Sequence, residues 1–160
     1  MTHSCPGRQR GFTLTELLAA LAIIAVISAI AIPLYTQYSL RSYRAEVQAD
    51  LLACAQALER VNAMTFTYAS TADTDADGAG DANAGAIATD ICDANSVRQN
   101  RYNITINAPG PTFVLTAAPD AGGPLAGEGN FTLDNVGNRT WDENADGDGT
   151  DANEDDWNED

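Results

Sequence analysis

The chain has 160 residues and a formal net charge of −15 at pH 7, and all eight of its basic residues are arginine. So acidic a chain repels nucleic acid phosphates, which argues against a built-in groove for DNA or RNA. Its only histidine is His3, and the sequence has no lysine, no glycine-rich phosphate loop and no serine or cysteine beside a base. We therefore predict that the chain is not an enzyme and requires no cofactor.

The N-terminus combines a short basic leader with a long apolar run. Arg8 and Arg10 precede the run, no acid occurs in residues 1–10, and positive charge keeps this end in the cytoplasm. The 21 residues from Phe12 to Ile32 would form a helix of about 30 Å, the thickness of the hydrocarbon core of a bilayer. The predicted division of the chain is a leader, a membrane-spanning helix and a globular domain: residues 1–11, 12–33 and 34–160.

One residue does not fit a plain membrane anchor. Glu16 lies inside the apolar helix, where an ionised carboxylate is costly unless it is paired. No basic residue follows it before Arg41. Cleavage after Gly11 would create the missing cation, because it frees the α-amine of Phe12 four residues upstream. The sequence therefore predicts processing between Gly11 and Phe12.

The segment Gly11-Phe-Thr-Leu-Thr-Glu-Leu17 resembles the processing site of type IV prepilins. The resemblance implies that a membrane prepilin peptidase cuts after Gly11 and methylates Phe12. It also implies that the carboxylate of Glu16 is needed for filament assembly. A weaker likeness, to minor pilins of the PilE kind, extends through residues 52–60 and 66–68.

The resemblance also implies a location and partners. A type IV pilin is held in the inner membrane as a single-pass precursor with a cytoplasmic leader, and is then added to an extracellular filament. The implied partners are other pilin subunits, the prepilin peptidase, the inner membrane and the pilus assembly machinery. The filament would serve adhesion, twitching motility or DNA uptake.

Other interpretations of the N-terminus stay open at this stage. The first alternative is a secretory signal peptide, which needs small residues at a cleavage site after the apolar run, and Ala29 and Ala31 could provide them. The second is an ordinary single-span membrane anchor, which is not cleaved. Neither explains Glu16. Two further alternatives are a pseudopilin of a type II secretion system and a membrane-tethered calcium-binding or adhesive module that does not polymerise.

The globular domain is predicted to be α+β, with the amphipathic half of a long helix packed on a small antiparallel meander. No glycine or proline occurs from Leu34 to Met64, so the helix should continue to about Met64. Its apolar stripe needs a sheet to cover it, and the α+β pilin fold is what the resemblance implies. The stripe consists of Leu40, Tyr43, Val47, Leu51, Cys54, Leu58 and Val61.

The remainder of the chain is predicted to form a loop, a meander and an acidic tail. Residues 69–96, rich in alanine, aspartate, glycine, asparagine and threonine, are assigned to the loop. Residues 142–160 are so acidic that they should be mobile unless cations order them. Alternating or apolar strand patterns with short links favour antiparallel pairing at residues 102–106, 112–117, 131–133 and 140–141.

Three cysteines are present, and one of them lies in the leader. Cys5 would leave with the leader, so Cys54 and Cys92 remain as an even pair on the exported side of the membrane, where disulfides persist. We predict a Cys54–Cys92 disulfide that ties the loop to the long helix. Two independent buried thiols are the alternative.

Two segments have the spacing of calcium ligands, with oxygen-bearing side chains at loop positions 1, 3 and 5 and glycine at position 6. Both depart from the full EF-hand pattern, because position 12 is Ala84 or Asn153 and not a bidentate glutamate. A solvated, salt-adapted surface is the alternative explanation of these acids. The predicted calcium ligands are Asp73, Asp75, Asp77 and Asp81 in the first segment and Asp142, Asn144, Asp146 and Asp148 in the second.

Overall fold

The structure is a computed structural model that describes residues 12–147 and 156–157. The chain divides into two compact units, Met1–Ser39 and Leu40–Asp160. Both contain part of α1, a helix that runs from Leu14 to Thr65. The predicted end of this helix, at about Met64, is therefore confirmed to within one residue.

The first unit consists, in its described part, of the apolar stretch of α1. Its large apolar side chains from Phe12 to Tyr38 are all exposed, each by more than half of its surface. Within the described residues, α1 is the one helix long and apolar enough to cross a membrane. A helix that is apolar on all sides and uncovered by its own chain requires lipid or other helices around it.

The second unit packs the remaining part of α1 on a six-stranded antiparallel sheet. Each strand pairs with the next along the chain, so the sheet is a simple meander. A short helix, α2 (Asn95–Arg98), stands between the second and third strands. The predicted α+β pilin fold is thus confirmed. The strands are β1 (Ala72–Asp73), β2 (Ala84–Ile87), β3 (Tyr102–Asn107), β4 (Val114–Pro119), β5 (Phe131–Asp134) and β6 (Arg139–Trp141).

The core lies between the amphipathic part of α1 and one face of the sheet. Along α1 the buried residues of the predicted stripe, Val47, Leu51, Cys54 and Leu58, are spaced by three or four positions and have no exposed surface. Along β3 buried and exposed residues alternate, so that Tyr102 and Ile104 face the helix. The two periods, helical and strand, therefore meet in a single apolar layer.

The prediction that residues 69–96 form one loop is wrong in part. The segment contains β1 and β2, and α2 begins at its end. β2 has the sequence Ala84-Gly-Ala-Ile87, which has low intrinsic strand propensity. It is a strand because it pairs with β3, where Ala84 lies opposite Asn107 and Ala86 opposite Thr105. Tertiary pairing overrides local composition here.

The prediction of a mobile acidic tail is wrong at Trp157, which is buried in the core. Its indole N–H donates to the backbone oxygens of Thr132 and Thr140, both at 3.1 Å. Its own backbone oxygen accepts a hydrogen bond from Gln48 on α1 at 3.0 Å, and its ring meets Phe131 edge-on. One large amphipathic side chain thus anchors the C-terminal segment, because it buries its ring and satisfies its donor at the same time.

Two buried tyrosines differ in what their hydroxyl groups contact. The Tyr102 hydroxyl is buried and, within the described residues, has no hydrogen-bond partner. The Tyr68 hydroxyl donates to a carboxylate oxygen of Glu59 at 2.8 Å. Burial, together with the nearby charge of Glu128, raises the pKa of Tyr102 above its ordinary value. Tyr102 therefore carries an unsatisfied polar group, whereas the polar group of Tyr68 is satisfied.

We expect Tyr102→Phe to raise the free energy of unfolding by about 1 kcal/mol and Tyr68→Phe to lower it by a similar amount. A raised pKa in the folded state means that the folded chain binds the phenolic proton more tightly than the unfolded chain does. The free energy of unfolding therefore falls as the pH rises above about 10, the ordinary pKa of tyrosine. Tyr102→Phe should therefore also reduce the loss of stability at alkaline pH. Urea unfolding at neutral and alkaline pH measures both effects, and a destabilised Tyr102→Phe at neutral pH would contradict the argument.

Candidate functional site

The carboxylate of Glu16 lies in the first turn of α1 and is held there by Thr13. It accepts hydrogen bonds from the backbone N–H of Thr13 at 2.9 Å and from the Thr13 hydroxyl at 2.8 Å. The Thr13 hydroxyl oxygen in turn accepts the backbone N–H of Glu16 at 3.3 Å. This is a capping box, in which the side chains at the N-cap and N3 positions satisfy each other's backbone donors.

The capping box is a role of Glu16 that our sequence interpretation missed. Its signal was present, because Thr13-Leu-Thr-Glu16 is the Ser/Thr-x-x-Glu pattern that precedes an apolar helix. Phe12, the predicted new N-terminal residue, is almost fully exposed immediately before this turn. Gly11 lies outside the described residues, so the predicted cleavage between Gly11 and Phe12 stays a prediction.

The predicted disulfide between Cys54 and Cys92 is confirmed. The two Cα atoms are 5.2 Å apart, and the bond joins residues separated by 38 positions. Cys54 is fully buried on the apolar stripe of α1. Cys92 follows β2 in a turn where its backbone N–H donates to Ala88. The bond therefore ties the β1–β2 part of the sheet, and the start of α2, to the core.

Three carboxylates of the first acidic segment converge on one point. An oxygen from each of Asp73, Asp75 and Asp77 lies within 4.8 Å of the others. Calcium binds oxygens at 2.3–2.6 Å, so two ligands of one ion lie at most about 5 Å apart. The spacing of the three carboxylates satisfies this limit. Hydrogen bonds from the backbone N–H groups of Gly78 and Ala76 hold the pKa of Asp73 below its usual range.

Up to Gly147, the second acidic segment has left-handed residues at the same two loop positions as the first. At loop position 4, Ala76 and Ala145 both have a left-handed φ, of 62° and 57°. At position 6, Gly78 and Gly147 have φ values of 94° and 95°. The Asp142 carboxylate, like that of Asp73, accepts the backbone N–H of the glycine at position 6. Two segments far apart in the chain thus form one type of turn, which requires glycine at position 6.

The structure places the other predicted ligands differently. Asp81 accepts hydrogen bonds from the backbone and hydroxyl groups of Thr74, and it is not part of the three-carboxylate group. In the second segment the Asn144 amide donates to the Asp146 carboxylate at 3.1 Å. Asp148 lies outside the described residues. The first segment therefore has the more complete set of convergent oxygens.

Asp142, the first residue of the second segment, lies directly against Gly129, a residue that our sequence interpretation did not identify. A Cβ atom at Gly129 would lie 1.5 Å from the backbone oxygen of Asp142. The Asp142 N–H donates to the backbone oxygen of the next residue, Asn130, at 3.0 Å. Asp142 is almost completely buried as a result. Residue 129 must therefore be glycine for Asp142, the first predicted ligand of the second segment, to lie where it does.

The fold and these features define a class of protein. A helix with an apolar first part and an amphipathic second part packed on an antiparallel meander, with a carboxylate in its first turn, is the arrangement of a type IV pilin. A model of the prokaryotic N-terminal methylation motif matches residues 6–32. The model described as type IV minor pilin ComP, DNA uptake sequence receptor, matches residues 33–128, more than half of the chain.

The chain therefore belongs to this family of type IV minor pilins. The predicted resemblance to type IV pilins is confirmed over both the N-terminal segment and most of the globular unit. No solved structure matches the chain.

Proposed function

We propose that this chain is a minor pilus subunit that is cut between Gly11 and Phe12 and polymerises through the N-terminal part of α1. The observation that carries the proposal is the exposed apolar surface from Phe12 to Tyr38, which no other described part of the chain covers. In the precursor, lipid covers this surface. In a filament, the helices of neighbouring subunits replace the lipid.

The exchange of lipid for helices gives a physical reason for the predicted role of Glu16 in filament assembly. Lipid tails are as apolar as leucine, so moving an apolar helix from the bilayer into a filament gains no hydrophobic free energy. A carboxylate in the same environment is costly until it meets a cation. Pairing between Glu16 and the free amine of Phe12 on a neighbouring subunit exists only in the filament and would therefore favour assembly over the membrane-bound monomer, whereas pairing within one subunit would be present in both states.

The test is immunogold labelling of sheared filaments together with mass spectrometry of the mature chain. We expect label along the filaments and a mature N-terminus at Phe12 that carries one methyl group. Gly11→Val places a branched side chain at the cut and should leave the leader attached. A different N-terminus, or absence of the chain from filaments, would overturn the proposal.

The same strains separate this proposal from the two alternatives. Loss of protein secretion on deletion, with filaments intact, would indicate a pseudopilin of a type II secretion system. Retention of the processed chain as an unassembled membrane monomer would indicate a tethered module that does not polymerise. Loss of adhesion, twitching motility or DNA uptake on deletion would show which process the filament serves.

We further propose that the first acidic segment binds calcium and that the second does so as well. The convergence of Asp73, Asp75 and Asp77 supports the first site, and the shared backbone conformation of the two segments supports the second. Neither segment has a bidentate acid at position 12. Binding should therefore be in the weak extracellular class, with Kd on the order of 10⁻⁴ to 10⁻³ M.

At a calcium concentration of about ten to a hundred times Kd, a bound site should raise the free energy of unfolding by about 1–3 kcal/mol. The measurement is thermal unfolding of the processed chain in detergent, with calcium, with chelator, and with sodium at equal ionic strength. Asp75→Asn with Asp77→Asn should remove most of the response.

A charge-matched control for the calcium experiment is Asp90→Asn with Asp120→Asn, which removes two acids outside both segments. This control should keep the calcium response. If sodium stabilises the chain as strongly as calcium, or if both double variants respond alike, the acids form a salt-adapted surface and not a calcium site.

The family description names a receptor for DNA uptake sequences, and the charge of this chain opposes that role for its own surface. DNA binding requires cationic side chains that contact the phosphates. Of the six arginines in the globular unit, Arg44 forms an ion pair with Glu128 at 2.8 Å, Arg101 pairs with Glu46, and Arg98 lies 3.5 Å from Asp93. We expect no binding of labelled duplex DNA to the processed chain at low salt by fluorescence anisotropy, and salt-dependent binding would contradict this expectation.

A further inference from the structure

A cavity of about 220 Å³ lies in the globular unit where β2 separates from β3. The last paired residues of the two strands are Ala86 and Thr105, whereas β3 already begins at Tyr102. After β2 the backbone N–H of Ala88 donates to the oxygen of Thr71, just before β1, at 3.0 Å. The chain has therefore turned away from the first residues of β3, and the cavity occupies the gap between them and the segment that contains α2.

The interior of the cavity is lined by apolar residues. Ile87 of β2 and Ile104 of β3 line it together with Ala94 and Val97 from the segment that contains α2. Ile87, Ile104 and Ala94 are all buried. Apolar walls favour an aliphatic group, because burying one removes apolar surface from water. Burying a hydroxyl-rich group against the same walls is costly, because its hydrogen bonds to water are not replaced.

Two bonds outside the cavity hold its walls in place. Cys92 lines the cavity and is joined to Cys54 on α1 by the disulfide. The backbone N–H of Asp90 donates to the oxygen of Gly78 at 3.0 Å, which ties the chain after β2 to the first acidic segment. The cavity is therefore formed before a ligand arrives, and binding to a preformed site costs less ordering free energy.

Charged side chains of both signs also line the cavity. Arg98 and Asp93 are both exposed, and the Nε atom of Arg98 lies 3.5 Å from a carboxylate oxygen of Asp93. Asp73 of β1 is a third charged residue of the lining, and Asn103 and Thr105 of β3 add uncharged polar groups. Because the charged residues are more exposed than the apolar ones, the charges lie toward the mouth of the cavity. Within the described residues, one cation and two carboxylates therefore border an apolar interior.

We propose that this cavity binds a free α-amino acid with an aliphatic side chain of about the size of valine or leucine. Its carboxylate pairs with Arg98, its ammonium group pairs with Asp93 and Asp73, and its side chain fills the apolar interior. Drug-sized ligands occupy pockets of about 300–1,000 Å³, so a cavity of about 220 Å³ suits a smaller molecule. A phosphate group would meet two carboxylates beside one arginine, and a sugar would place hydroxyls against apolar walls.

The test is saturation-transfer difference NMR of leucine with the full processed chain in detergent, with empty micelles as the blank. Chelator is present throughout, so the result does not depend on the calcium proposal. Leucine should bind with a Kd on the order of 10⁻⁴ to 10⁻³ M, as expected for so small a ligand. No saturation transfer to leucine at tenfold the upper value would overturn the proposal.

Three further ligands each lack one part of leucine. N-acetyl-leucine lacks the ammonium group, leucinamide lacks the carboxylate, and glycine lacks the side chain. Each should bind at least tenfold more weakly than leucine, because each leaves one part of the cavity without its partner. Equal binding of N-acetyl-leucine would assign the cavity to the C-terminus of a peptide and overturn the proposal, and equal binding of leucinamide or glycine would overturn it as well.

Two variants test whether leucine binds in this cavity. Arg98→Gln removes the cation and should weaken leucine binding at least tenfold, whereas Arg60→Gln, at an exposed position of α1 outside the cavity lining, should leave it unchanged. Ala86→Leu narrows the cavity from β2 and should also weaken binding at least tenfold. Arg98 forms an exposed ion pair that adds little stability, so the melting temperature of Arg98→Gln should be unchanged. Unchanged leucine binding in either folded variant would place the site elsewhere on the chain and overturn the proposal.

Discussion

Glu16→Ala should be processed normally and should fail to enter filaments. The proposed cut between Gly11 and Phe12 lies upstream of the substitution, so we expect leader removal not to depend on this carboxylate. We expect assembly to depend on it, because in the proposed filament the carboxylate pairs with the cationic amine of Phe12 in an apolar environment where unpaired charges are costly. Immunoblots of sheared filaments and of membranes should show the mature chain in membranes alone.

The capping box makes Glu16→Gln the decisive control. The hydrogen bonds between Thr13 and Glu16 show that this side chain also completes the first turn of α1. Glutamine can close a capping box without a charge, whereas alanine cannot. If charge pairing governs assembly, both variants are excluded from filaments. If Glu16→Gln assembles normally, the cap and not the charge explains the residue, and the pairing argument fails.

Much of the fold was predictable because it depends on periodic patterns. The stripe that contains Val47, Leu51 and Leu58 has helical spacing, and these residues are the buried face of α1 in the structure. The alternation from Tyr102 to Ile106 likewise predicts β3 and its buried face. The Cys54–Cys92 pair was predictable because the expected loss of Cys5 with the leader leaves two cysteines in a domain expected to be exported, where disulfides persist. Each of these features is local in sequence or decided by composition.

The features that were missed depend on contacts between distant parts of the chain. β2 has no strand pattern of its own and is defined by its pairing with β3. Trp157 lies in a tail whose composition predicts mobility, and its anchoring depends on the carbonyl oxygens of Thr132 and Thr140. The closeness of Gly129 to Asp142 is likewise invisible in the sequence. In the first acidic segment, three of the four carboxylates predicted from the spacing converge and Asp81 does not. The left-handed turns of both segments are seen only in the structure.

Removal of the Cys54–Cys92 disulfide should lower the free energy of unfolding by roughly 3–4 kcal/mol. The bond closes a loop across a separation of 38 residues, and loss of that constraint gives the unfolded chain more conformational freedom. Cys54→Ala with Cys92→Ala is the appropriate change, because a single substitution leaves a free thiol that can form other disulfides. Urea unfolding of the processed chain, compared with the unaltered chain, measures the effect.

The loss should be greatest in the part of the sheet that the disulfide ties to the core. β1 and β2 are short, and their residues gain little stability from their own side chains, so hydrogen exchange should accelerate there more than in β3 to β5. The calcium response should also weaken, because Asp73 ends β1 and a looser strand makes ordering of the first acidic segment more costly. Cys5→Ser should change neither property once the leader is removed. Equal acceleration of exchange in all six strands would show that the bond stabilises the domain as a whole and does not specifically hold this part of the sheet.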